Sequence, residues 1–72
     1  MKVIDKIYFE KLHESYSGLI YNYLLKITGS RYQSEEITQR AFIKFRDKRD
    51  QLKGVDNHKA YLFSMAKNLL ID

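Results

Sequence analysis

Apolar side chains recur at three- and four-residue steps along nearly the whole chain, and no proline interrupts them. Glycine, the next strongest helix breaker, occurs only three times in 72 residues. Such spacing belongs to amphipathic helices, because apolar residues in a half-buried strand alternate. The pattern predicts an all-α fold: a compact bundle of three to four helices.

Punctuation falls at three places: Ser15 to Gly18, Thr28-Gly29-Ser30, and Lys53 to Asn57. A first segment has Ile4, Ile7, Tyr8 and Leu12 on one face. A second has Leu19, Ile20, Tyr23, Leu24 and Ile27, with Ser17 as a candidate N-cap. Gly29 suits the left-handed residue that closes a helix. Ser34 is a candidate N-cap for the third, with Glu35 and Glu36 placed where the helix dipole favours negative charge. Ile37, Ala41, Phe42 and Phe45 form its inner stripe, and Arg46, Lys48 and Arg49 suit its C-terminal end. Asn57 is a candidate cap for a fourth helix with Tyr61, Leu62, Met65, Ala66 and Leu69 inside. That helix still reads as helical at Asp72, with no stop signal, as expected of a truncated domain.

The size sets limits on function. A chain this short buries only about 60% of its unfolded surface, which allows one modest core and no cleft between lobes. Cysteine is absent, so no disulfide or thiolate metal site supports the fold. The apolar runs, such as Leu24-Leu25 and Leu69-Leu70-Ile71, fall far short of the roughly 20 residues of a membrane span. No apolar stretch follows Lys2 as in a signal peptide. The net charge of +4 and the pI near 9.4 favour a polyanionic partner, though only mildly.

Residues for catalysis are missing. His13 and His58 lie on different segments, and His13-Glu14 lacks the second histidine of a zinc-protease helix. There is no phosphate-cradling glycine loop. Glu35-Glu36 reads more simply as helix-terminal charge than as a catalytic pair. No catalytic residue, metal ligand or cofactor site is expected.

Two stretches carry a resemblance. Ser34-Glu35-Glu36-Ile37-Thr38-Gln39-Arg40-Ala41-Phe42-Ile43-Lys44-Phe45 is followed by Ala60-Tyr61-Leu62-Phe63-Ser64-Met65-Ala66-Lys67-Asn68-Leu69-Leu70-Ile71-Asp72. In this order and separation they resemble region 2 of the sigma-70 family, in its extracytoplasmic-function (ECF) group. The resemblance spans nearly the whole chain, residues 1–72, and implies a cytoplasmic, bacterial, non-enzymatic transcription initiation factor domain. On this resemblance residues 1–72 are expected to be region 2 alone, truncated, without the family's second DNA-binding domain.

In that family the third helix docks on the clamp helices of the RNA polymerase β′ subunit. Carried onto this chain, the docking residues are Glu36, Gln39, Arg40, Ile43 and Asp47, which also share one helix face by their spacing. From spacing alone an ordinary solvated helix face is the favoured reading, and it is the resemblance that turns the balance toward docking. Arg40 stands where glutamate is usual and Arg46 where tryptophan is usual, which implies altered charge complementarity and locally different packing.

The loop and fourth helix of the family bind the non-template single strand of the promoter −10 element and hold a base out of the stack. The corresponding residues here are Lys53, Asn57, His58, Lys59, Tyr61, Lys67 and Asn68. Lysines neutralise phosphates, whereas Asn57, His58 and Asn68 offer hydrogen bonds to base edges. Each has a plainer reading: Tyr61 as core, Asn57 as a cap, the lysines as solvated face. The resemblance also allows an anti-sigma factor as a partner. Two other readings stay open, a helix-turn-helix module for duplex DNA and a structural protein-interaction bundle. The long connection from Phe45 to Asn57 argues against the first.

Overall fold

The computed structural model describes residues 4–71, which form three α-helices: α1 (Lys6–Thr28), α2 (Arg31–Asp47) and α3 (His58–Ile71). No strand occurs among the described residues. Helix α2 runs back along α1, and α3 returns to pack on both.

The expected break at Ser15 to Gly18 does not exist; the two segments are one helix. Tyr8, Leu12, Tyr16, Ile20 and Leu24 follow one another at uniform four-residue steps, all buried or half-buried. A mid-helix glycine costs roughly 1 kcal/mol against alanine. Burying Ile20 and Leu24, both fully enclosed, contributes about 1.5–3 kcal/mol each and outweighs it. Gly18 itself is exposed, with no atom near where a Cβ would sit. Ser17 is mid-helix and caps nothing; the N-cap is Asp5, whose carboxylate accepts from the Tyr8 amide at 2.8 Å.

Not every periodic apolar residue is inside. Ile7, Leu19 and Ile27 are at least half exposed or nearly so. Four residues overshoot a 3.6-residue turn, so the buried row winds around α1 and leaves these positions at its edges.

Gly29 closes α1 as expected, in the left-handed region at φ 67°, with its amide donating to the Leu25 carbonyl at 2.8 Å. The cap of α2 is Ser30 and not Ser34: Ser30 is extended, and its hydroxyl accepts from the Gln33 amide at 3.2 Å. The left-handed glycine turns the chain so tightly that the next residue already stands at the head of α2. Ser34 is buried one turn in, donating to the Ser30 carbonyl at 2.7 Å and lying 3.1 Å from the Thr28 hydroxyl. Glu35 and Glu36 therefore fall beyond the first turn.

The core joins Ile4, Leu12, Ile20 and Leu24 to Ala41, Phe42 and Phe45, and to Leu62, Met65 and Ala66, with Leu52 reaching in from the connection. Aromatic edges knit the helices: Phe9 meets Phe42 with ring centres 6.1 Å apart, and Tyr23 meets Phe63 at 5.5 Å. Of the expected inner faces, Ile37, Tyr61 and Leu69 are half-buried and the rest of the α2 and α3 residues are buried.

Candidate functional site

The docking residues expected on α2 lie on its outer side. Gln39, Arg40, Ile43 and Asp47 are exposed and Glu36 is half-buried, while Ala41, Phe42 and Phe45 point inward from the same helix. Ile43 keeps 48% of its surface in water, an aliphatic side chain within a polar row. Gln39 borders two shallow grooves. One is formed with Tyr32, Glu35 and Glu36; the other lies against α1 at Ser17, Tyr21 and Asn22.

Arg40 is engaged within its own helix, its guanidinium 2.7 Å from the Glu36 carboxylate. Such an exposed i,i+4 pair contributes only about 0.3–0.5 kcal/mol, so it yields readily to a better partner. Arg46 is exposed beside Asp47 and lines a cleft with Ile4, Lys6, Phe9 and Arg49.

One residue of this face escaped the sequence reading. Tyr32 is 75% exposed and precedes Glu36 by one helical turn. A helix starting at Ser34 would leave Tyr32 outside α2; the Ser30 cap places it in the first turn. The available signal was Ser30 itself, which follows the closing glycine directly.

The residues expected to meet DNA divide into three groups. Lys53 and Asn57 are exposed on the connection between α2 and α3, and Lys67 and Asn68 are exposed on α3. Asn57 does cap α3, its Oδ1 accepting from the Ala60 amide at 3.0 Å, which leaves its amide NH2 free to donate elsewhere. Lys59 leans toward α1, its ammonium 5.7 Å from the centre of the Tyr16 ring. Tyr61 is half-buried against the core. His58 is buried, with ring nitrogens 2.6 Å from the Tyr8 hydroxyl and 3.1 Å from the Leu52 carbonyl. Both of its polar atoms are occupied, so it has nothing left for a base edge; packing of its ring against Phe45 moves it from the surface set to the interior.

No cluster of three or more His, Cys, Asp or Glu side chains suited to a metal occurs among the described residues. No described helix is long and apolar enough to cross a membrane. The site offers surfaces rather than a chemical centre: a mixed polar and aliphatic ridge on α2, and amide and ammonium donors on the connection and α3.

Residues 12–72 match the family model described as Sigma-70 region 2, and the chain belongs to that family. The family comprises domains of transcription initiation factors, not of enzymes, and its partners are the RNA polymerase core and promoter DNA. No curated protein and no solved structure matches the chain.

Proposed function

We propose that this chain is the polymerase-docking and promoter-opening domain of an ECF-group sigma factor, acting in the bacterial cytoplasm. The outer face of α2, through Glu36, Gln39, Arg40, Ile43 and Asp47, docks on the β′ clamp helices. The exposed Ile43 among polar neighbours is the observation that carries this reading. A half-exposed aliphatic side chain among hydrogen-bonding groups is what the desolvated centre of an interface needs.

Once docked, the connection and α3 receive the non-template strand of the −10 element. Lys53, Lys59 and Lys67 neutralise phosphates and supply affinity that falls steeply with salt. Asn57 and Asn68 donate to or accept from the edges of separated bases, Asn57 through the NH2 that capping leaves free. Tyr61, half-buried against the core, borders this surface. Extruding a base costs a few kcal/mol, least in A·T-rich DNA, and binding to the extruded strand offsets that cost. An anti-sigma factor would act by covering either surface.

The test is titration of the chain with a labelled β′ clamp-helix fragment from the same bacterium, alongside a Gln39→Ala, Ile43→Ala variant. Saturable binding, weakened by about 1 kcal/mol or more in the variant at unchanged helicity, is the expected result. A folded wild-type chain that does not bind the fragment refutes the docking assignment.

A further inference from the structure

One buried connection lies outside both surfaces. His58 is 3% exposed and stands at the first position of α3. The Leu52 carbonyl can only accept, so the His58 Nε2, 3.1 Å away, carries the ring proton. The Nδ1 is then an acceptor, and the Tyr8 hydroxyl donates to it at 2.6 Å. The rings of Tyr8 and Phe45 meet the imidazole edge-on at 5.5 and 5.4 Å. A single side chain is thus gripped by α1, by α2 and by the segment that joins α2 to α3.

That segment has little else to hold it. Between Lys48 and Asn57 the backbone closes only short turns, such as Gln51 to Lys48 and Val55 to Leu52. Leu52 is its only fully buried residue; Val55 is half-buried against the core, and Gly54, Asp56 and Asn57 face solvent. The pose of the segment is therefore set mainly at one point, Leu52, whose side chain enters the core and whose carbonyl meets both the Val55 amide and His58, with Val55 adding a shallower apolar contact and Asn57 tied to the head of α3 by its own cap. Lys53 and Asn57 flank that point.

We propose that Tyr8 and His58 are positioning residues for DNA binding: their hydrogen bond fixes the imidazole, which fixes the Leu52 carbonyl and so the presentation of Lys53 and Asn57 to the single strand. Residue Tyr8 of α1 touches neither partner in the proposed arrangement, yet it governs affinity for one and not the other. This inference rests on the DNA part of the proposed function.

The test uses Tyr8→Phe, which removes the hydroxyl and keeps the ring, and His58→Leu, which removes both hydrogen bonds. The full chain of each is assembled with the polymerase core. Affinity for the core and then for a single-stranded −10 oligonucleotide are measured by fluorescence anisotropy, with hydrogen exchange read at the Leu52 and Val55 amides. Tyr8→Phe should weaken oligonucleotide binding about three- to ten-fold, as expected for one net hydrogen bond, while core affinity stays within about two-fold. Exchange at Leu52 and Val55 should quicken while the α2 amides stay protected, and His58→Leu should lose at least as much. Unchanged oligonucleotide binding by Tyr8→Phe, in a complex where Lys67→Ala does weaken it, overturns this inference alone. Equal losses for core and oligonucleotide also overturn it, since they signal general destabilisation. A wild-type complex that fails to bind the oligonucleotide removes the DNA reading itself.

Discussion

Alanine placed at two of the glycines should move stability in opposite directions. Gly18 is in the middle of α1, on its exposed side, and a Cβ there meets nothing. Its backbone is helical, so alanine fits without strain and removes the entropy that glycine loses on folding. The gain is about 0.5–1 kcal/mol. A Cβ at Gly29 also meets nothing, so packing plays no part in the comparison. There the cost comes from φ at 67°, where an L side chain crowds the following carbonyl, and it is about 1–2 kcal/mol. For a domain of this size each kcal/mol shifts Tm by about 4–8 °C. Thermal unfolding followed by circular dichroism should show Gly18→Ala raising Tm by roughly 2–8 °C and Gly29→Ala lowering it by roughly 4–16 °C. If Gly18→Ala lowered Tm, the helix would be interrupted at Ser15 to Gly18 and the continuous α1 would be wrong.

Other outcomes follow from the same contacts. Phe45→Ala empties a fully buried ring site between Phe9 and His58, and the loss of about 3–5 kcal/mol should lower Tm by at least about 12 °C, read by circular dichroism. Ser30→Ala removes the hydroxyl that caps α2 and should cost about 1 kcal/mol in urea unfolding, whereas Glu36→Gln, which breaks an exposed pair, should change stability by less than about 0.5 kcal/mol. Lys67→Ala should weaken single-strand binding similarly for different sequences and lower the salt-dependence slope by about 0.7, measured by titration at several salt concentrations.

Local chemistry explains what could be read from the order of residues. The helical class, the left-handed Gly29, the cap at Asn57 and the buried stripes Ala41-Phe42-Phe45 and Leu62-Met65-Ala66 all depend on neighbours within four or five positions. Those relations survive whatever the rest of the chain does. That Glu36, Gln39, Arg40, Ile43 and Asp47 share the outer side of one helix was legible for the same reason. Tyr32 was not, because two serines of equal capping chemistry stand near the start of α2 and only the closure of the Gly29 turn selects between them.

The remaining features needed contacts between distant parts of the chain. Gly18 and its polar neighbours have the composition of a break. They remain helical because Ile20 and Leu24 on one side and Leu12 on the other are buried in a single core, a cooperative gain that no local rule counts. His58 has the polarity of a surface ligand. It is interior because Tyr8, some fifty positions away, supplies a donor and Leu52 an acceptor where the imidazole needs them. The sequence by itself determined a helical bundle with the spacing and order of a sigma-70 region 2 domain. Only tertiary packing decided which polar residues became struts and which stayed at the surface, because the cost of burying a polar group is cancelled by partners that the chain brings together only when folded.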